Sequence, residues 1–190
     1  MITPYVLRFV QRDSTDFKSQ NIKVLNDKPD FVYVYTFFAK SSKYNCLIKY
    51  IIRLEAYGDC FAIKYYCARA KHSENKYSKI LNFFNSGETM RILRTCAEVI
   101  PTILRIFPNA SFVFVGARTH DIGDYIEGPA ATQRYRIYCA LVQKWFGSET
   151  FNIIVHPNNS ACIFINKKQY EHSEIGDKDI FNRFASIFDF

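Results

Sequence analysis

The sequence predicts an α+β fold in which one antiparallel sheet packs against two main helices. Up to about residue 70 the chain is rich in β-branched and aromatic residues in short runs, which is typical of strands. Two later segments repeat apolar residues at helical spacing, and two further strand-like runs follow them. Strand-rich segments followed by mixed units favour α+β over an alternating parallel fold.

The length of 190 residues fits a single domain, 1–190, that buries a core without disulfides or metals. We divide it into a strand-rich part (1–70), a helix-strand-helix-hairpin part (77–168) and a C-terminal helix (179–188). The chain has 18 Phe and 13 Tyr, and most Phe lie in apolar runs, which predicts an aromatic core. The alternative is that some rings are exposed for stacking.

The first strands form a meander. Residues 5–10 are a short apolar stretch, and residues 31–38 are the clearest strand. Residues 44–55 and 60–68 are predicted to pair, because residues 56–59 between them contain the Gly and Asp of a hairpin loop.

A helix is predicted from residue 86 to about residue 106, after a possible short helix over 77–84. Asn85 and Glu88 have the spacing of a capping box at its start. Pro101 should kink or break it. Its apolar stripe consists of Leu93, Cys96, Ala97, Ile100, Leu104 and Phe107.

A strand over 112–115 comes next, and an acidic loop leads from it to a helix over about 130–146. Gly147 is predicted to end that helix. Residues 151–155 and 161–165 then form a hairpin.

The junction between this strand and helix holds the best candidate site. The strand ends at Gly-Ala-Arg-Thr (116–119), and the helix opens with Arg-Tyr-Arg-Ile-Tyr (134–138). At 100° per residue, Arg134 lies at the edge of the apolar stripe and Arg136 lies on the opposite face. Arg134 should therefore point along the end of the sheet, and Arg136 towards solvent or a partner.

Such a junction suits an anion, because it offers the free N–H groups of a helix start, the positive end of its dipole and nearby guanidinium groups. Gly116 would let the backbone approach closely. The alternative is that Arg134 pairs with Asp121, Asp124 or Glu127 and only pins the loop. The predicted ligand-binding residues are Gly116, Arg118, Thr119, Arg134, Tyr135 and Arg136.

The net charge of +7 favours a polyanionic partner, although the basic residues are spread along the chain. The leading hypothesis is a non-catalytic binding module for nucleic acid or a phosphorylated small molecule, without a cofactor. No metal site is expected, because the His120-Asp121 pair lacks the further ligands that metal phosphohydrolases need.

Two alternatives stay open. One is a metal-independent ribonuclease-like toxin with His120 as the catalytic base, Arg118 and Arg134 steadying the transition state, and Tyr125 or His156 as guesses for the acid. The other is a protein-interaction module, of the immunity or antitoxin type, that uses an aromatic surface.

The six cysteines show no C-x-x-C pair or zinc-finger spacing, and most lie among apolar residues. They predict reduced, buried thiols in a cytoplasmic protein. No signal-peptide pattern opens the chain, and no apolar run approaches the roughly 18 residues needed to cross a bilayer, so no membrane partner is expected.

Residues 86–168 resemble an uncharacterised family of small bacterial proteins. That family shares a helix ending in an aromatic-Pro pair, a strand, a Gly-Ser-Thr turn and an Arg-x-Arg-Leu-Tyr helix start. Here the counterparts are Phe107-Pro108 and the segments 112–115, 116–119 and 134–138, with Ala117 in place of Ser and a longer loop over 120–131. The resemblance implies the same architecture, a bacterial or phage origin, and a place in a defence or mobile-element context.

Overall fold

The computed structural model describes residues 2–14, 29–73, 76–77, 84–118, 127–169, 182 and 184–185. The strands are β1 (Arg8–Ser14), β2 (Phe31–Ser41), β3 (Cys46–Tyr57), β4 (Cys60–Cys67), β5 (Ser111–Val115), β6 (Phe151–His156) and β7 (Ala161–Asn166). The α-helices of these residues are α1 (Ser86–Ala97), α2 (Val99–Leu104) and α3 (Gln133–Thr150). The strands form one mostly antiparallel sheet in the order β1-β2-β3-β4-β5-β7-β6, so the predicted α+β fold is confirmed.

The predicted meander is confirmed, since β1 to β4 are successive antiparallel neighbours. The strand β1 begins three residues later than the apolar stretch at 5–10 and carries a bulge between Phe9 and Gln11. The β3–β4 hairpin turns at Gly58, whose φ of 63° favours glycine. Its N–H donates to the carboxylate of Asp30 at 2.6 Å, which fixes the turn to the start of β2.

A parallel pair in the middle of the sheet departs from the all-antiparallel expectation. The strands β4 and β5 are parallel, and their register covers only Cys60 to Ala62 opposite Ser111 to Val113. The helices α1 and α2 lie between these strands in the chain and supply the long crossover that a parallel pair needs. Because β4 runs on to Cys67, the two strands part at their carboxyl ends.

The main core lies between one face of the sheet and the helices, and it contains most of the buried aromatic rings. Of the predicted stripe, Leu93, Cys96, Ala97 and Ile100 are buried, while Leu104 and Phe107 are half-buried. A smaller cluster covers the opposite face and consists of Cys60, Ala62, Val113, Ile163, Ile165 and Phe184.

The capping box at the start of α1 is confirmed. Asn85 Oδ1 accepts from the Glu88 N–H at 2.8 Å, and the Glu88 carboxylate accepts from the Asn85 N–H at 3.0 Å. The predicted break is also present, at Glu98 between α1 and α2. Pro101 explains its position, because a continuous helix would need an N–H from Pro101 to Ala97.

The end of α3 corrects the sequence analysis. The helix continues through Gly147 to Thr150. A glycine ends a helix when it adopts a left-handed conformation, and among the described residues only Gly58 is a glycine with positive φ. The helix stops instead where buried Phe151 takes the extended backbone of β6.

Two further predictions reach beyond the described residues. The short helix over 77–84 depends on residues 78–83, which lie outside them. Of the predicted C-terminal helix, residues 182, 184 and 185 are helical, and the rest lies outside the described residues.

All six cysteines are free thiols. In the described part of the chain, no helix has both the length and the apolar character to cross a membrane.

Candidate functional site

A cavity of about 260 Å³ opens where β4 and β5 part. Five of the ten described residues that line it are aliphatic, and the others are Lys64, Tyr65, Tyr77, Arg134 and Tyr138. The aliphatic side chains are Ala62, Ile63, Val113, Val115 and Ala117.

Two tyrosines form the polar end of the cavity on the helix side. Tyr65 of β4 and Tyr138 of α3 both line it, with ring centroids 6.3 Å apart and planes at 83°. The Tyr138 hydroxyl donates a hydrogen bond to the Tyr65 hydroxyl. Burial raises the pKa of both phenols, and the neighbouring positive charge of Arg134 offsets this only in part. Both groups are therefore neutral hydroxyls near neutral pH.

Arg134 also lines the cavity, one helical turn before Tyr138 on the same side of α3. Its Nη1 donates to the main-chain carbonyl oxygen of Tyr77, which holds the half-buried guanidinium at the cavity wall. The guanidinium lowers the pKa of Tyr65, Tyr138 and the deeper Tyr50 against the larger effect of burial, so its positive charge acts on this end of the cavity.

Lys64 of β4 also lines the cavity. Its Nζ lies 2.6 Å from Glu55 Oε2, and Arg53 Nε lies 3.6 Å from Glu55 Oε1. The Tyr57 hydroxyl donates to the same carboxylate at 3.3 Å. Two cations therefore share the buried carboxylate of Glu55.

The start of α3 is capped from within the chain, so two of the N–H groups that the sequence predicted for an anion have acceptors of their own. The Gln133 N–H donates to Glu127 Oε1 at 2.6 Å, and the Tyr135 N–H donates to Thr132 Oγ1 at 3.3 Å. Glu127 thus places a loop carboxylate at the positive end of the helix dipole. The alternative, in which Arg134 pairs with Asp121, Asp124 or Glu127, stays a prediction, because Asp121 and Asp124 lie outside the described residues. Arg118 Nε donates to the carbonyl oxygen of Glu127 at 2.8 Å and so holds the same segment.

Gly116 packs directly against the first turn of α3. A Cβ at Gly116 would lie 2.6 Å from both Thr132 Oγ1 and the Tyr135 nitrogen. The Thr132 hydroxyl donates to the Gly116 carbonyl at 2.9 Å. The glycine is needed because the end of β5 touches the first turn of α3.

The predicted ligand-binding residues do not form one group. Arg134 lines the cavity, whereas Arg136 and Arg118 are exposed away from its lining, and Tyr135 is buried in the core. The opposite orientations of Arg134 and Arg136 are as the helical geometry predicted.

Outside the described residues lie Thr119, His120, Asp121, Asp124 and Tyr125. Within the described residues, no three His, Cys, Asp or Glu side chains gather as a metal site.

The sequence analysis did not predict that Tyr65, Tyr138 and Lys64 line one cavity. One signal was available. Arg134 and Tyr138 are four residues apart and therefore share a helix face. Strand alternation separates Lys64 from Tyr65, but it cannot show that both border one cavity. That juxtaposition depends on where β4 and β5 separate, a long-range feature that periodicity does not encode.

Comparisons of the chain with protein-family models, with curated proteins and with solved structures found no match, so the resemblance over 86–168 stays a prediction.

Proposed function

We propose that this protein is a non-catalytic binding module for a small molecule with an acidic headgroup and an apolar body, held in the cavity between β4 and β5. The observation that carries the proposal is the donor character of the helix-side end. Two hydroxyls joined by one hydrogen bond, Tyr138 to Tyr65, leave a second O–H proton to donate. No hydrogen bond found among the described residues gives that proton an acceptor, and the adjacent Arg134 is itself only a donor.

An oxygen acceptor with negative charge suits a hydroxyl that lies beside a guanidinium group. A carboxylate or phosphate oxygen can accept from the Tyr65 hydroxyl and lie in the field of the Arg134 guanidinium. Hydrogen bonds to charged groups contribute about 1.5–3 kcal/mol, roughly twice the value of neutral ones. The donor set thus favours an acid over an alcohol or an amide.

The walls and the size of the cavity restrict the rest of the ligand. The aliphatic side chains of β4 and β5 offer it an apolar surface. The volume of about 260 Å³ is slightly below the roughly 300–1,000 Å³ of pockets for drug-sized ligands, which suits a short chain or a single ring. Single-stranded nucleic acid is therefore a poorer candidate for this cavity than a small acid.

A binding role suits these residues better than catalysis. Since burial raises the pKa of Tyr65 and Tyr138, neither phenol is a good general base near neutral pH. The ribonuclease hypothesis depends on His120, which lies outside the described residues, and stays a prediction.

Isothermal titration with hexanoate, hexyl phosphate and hexanol tests the proposal. We expect both acids to bind and hexanol to bind at least about tenfold more weakly. The variant Arg134→Met should weaken acid binding about tenfold, because it keeps apolar bulk and removes the cation. Arg136→Met is the matched control, since it removes the same charge from an exposed position two residues away.

Equal affinity for hexanol and hexanoate, or equal losses in the two arginine variants, would rule out the proposed site. Salt-dependent binding of single-stranded RNA that is weakened equally by Arg134→Met and Arg136→Met would instead support the nucleic-acid hypothesis.

A second function, protein interaction, is favoured by an apolar patch on the other sheet face. Phe38 and Leu47 are 44% and 63% exposed and are diagonal neighbours across β2 and β3. Sedimentation of the wild type and of the double variant Phe38→Ser/Leu47→Ser at increasing concentration tests for self-association through this patch. A wild-type monomer throughout the series would exclude that mode.

A further inference from the structure

Two thiols meet between α3 and β7, outside the lining of the cavity. Cys162 of β7 is buried in the main core, and Cys139 of α3 is half-buried and packs against the same core. The Cys162 S–H donates a hydrogen bond to Cys139 Sγ, so the two side chains are in direct contact.

The packing of neighbouring residues holds this pair together. The ring of Tyr138, which precedes Cys139 on α3, has its centroid 5.1 Å from that of Phe114. Phe114 of β5 is in turn the cross-strand partner of Cys162. Contacts that involve neither sulfur therefore seat the helix on the sheet at the level of Cys162. A disulfide forms without backbone movement only between cysteines that already lie together, and this packing brings the two together.

The two thiols have different chemical character. The hydrogen bond from Cys162 lowers the pKa of the Cys139 thiol, burial opposes this effect, and a hydrogen bond from the Tyr135 hydroxyl adds to it. The same contact with Cys139, together with burial, raises the pKa of Cys162. Since the thiolate is the nucleophilic form, Cys139 is the attacking thiol, and it is also the more exposed of the two. Cys162 is the thiol placed to react with it next.

We propose that Cys139 and Cys162 are a modification site, which hydrogen peroxide oxidises to a disulfide between α3 and β7. The Cys139 thiolate attacks one peroxide oxygen, the O–O bond breaks, and a sulfenic acid forms while the released hydroxide takes up a proton. The Cys162 sulfur then attacks the sulfenic sulfur, the S–O bond breaks, and the hydroxyl leaves as water with the Cys162 proton. Two thiols thus lose two electrons and two protons, and the peroxide becomes two water molecules.

Hydrogen peroxide treatment of the folded protein tests the proposal. The remaining thiols are then blocked with N-ethylmaleimide in denaturant, and the protein is digested without reductant for mass spectrometry. We expect a linked peptide pair that contains Cys139 and Cys162, and labelling of four of the six thiols instead of all six. Protein unfolded in urea before the oxidation is the control, and its linkages should scatter over several pairs, because folding no longer selects one.

Single variants separate the roles of the two sulfurs. Cys162→Ala should leave Cys139 as a sulfenic acid that dimedone labels, whereas Cys139→Ala should abolish both the linkage and this label. Cys67→Ala is the matched control, since Cys67 is a half-buried cysteine on β4, and it should leave the linkage intact.

Two results would overturn the proposal. One is the absence of the Cys139–Cys162 linkage from the digest of the folded wild-type protein. The other is equal dimedone labelling of Cys139 and Cys67 in Cys162→Ala. The wild-type digest decides the matter even if that variant does not fold.

Discussion

Gly116 and Tyr135 approach so closely that a Cβ on Gly116 would lie 2.6 Å from the Tyr135 backbone nitrogen and 2.8 Å from its Cβ. Both obstacles belong to the first turn of α3, and Tyr135 is buried, so neither can move as a flexible side-chain tip would. The end of β5 is thereby held against the helix that carries Arg134 and Tyr138.

Gly116→Ala should therefore destabilise the protein. Overpacking of this kind costs about 1–3 kcal/mol of unfolding free energy, which urea denaturation measures. Gly128→Ala is the control, because a Cβ there meets nothing within 4 Å, and it should be neutral within about 0.5 kcal/mol. Similar losses of unfolding free energy in both variants would mean that the close contact at Gly116 is not the cause of the destabilisation.

Thr132 is the second tie between β5 and α3. Its hydroxyl donates to the Gly116 carbonyl and accepts from the Tyr135 N–H, and the residue is fully buried. Thr132→Ala removes the helix cap and leaves a buried carbonyl without that donor, so we expect a loss of about 1–2 kcal/mol in urea unfolding. Thr132→Ser keeps the hydroxyl and should retain most of this stability. A serine variant as unstable as the alanine variant would point to the methyl group instead.

Local patterns were sufficient for most elements. The capping pair Asn85 and Glu88, the break explained by Pro101, and the β3–β4 hairpin each depend on residues close in sequence. Gly147 failed as a stop signal because a glycine in a helix interior costs only about 1 kcal/mol relative to alanine, which tertiary packing can offset.

The candidate site was predicted less well, because its parts come from distant segments. Helical geometry placed Arg134 on the inner side of α3, and there it lines the cavity. The neighbours of Arg134 could not be inferred from the sequence, since Tyr65, which lines the same cavity, is 69 residues away in the chain. The sequence predicted free N–H groups at the start of α3. In the structure, two of these groups donate to Glu127 and Thr132.

Alkaline pH should destabilise the protein in part through Tyr77. Burial, together with the Glu55 carboxylate, raises its pKa to about 12, and Arg53 lowers it by less. Since an unfolded tyrosine ionises near pH 10, this contribution to stability is complete below about pH 10 and is lost as pH rises to about 12.

The variant Tyr77→Phe keeps the ring that packs against Tyr66 at 5.5 Å and removes the ionisable hydroxyl. Urea unfolding at about pH 9 and about pH 11 should therefore show a smaller loss of stability in the variant than in the wild type. Tyr44→Phe, at an exposed position, is the control and should lose as much as the wild type. Identical losses in all three proteins would contradict the assignment to Tyr77.

The hydroxyl pair in the cavity predicts an order of effects on binding. Tyr65 accepts from Tyr138 and keeps its own proton for a ligand, so Tyr65→Phe should weaken hexanoate binding about tenfold. Tyr138→Phe leaves the Tyr65 hydroxyl in place and should weaken binding less, by about two- to fivefold, through lost positioning. Tyr66→Phe is the control, because Tyr66 follows Tyr65 on β4 but does not line the cavity. Titration of the three variants gives the order, and a larger effect from Tyr138→Phe than from Tyr65→Phe would show that Tyr138 holds the proton offered to the ligand.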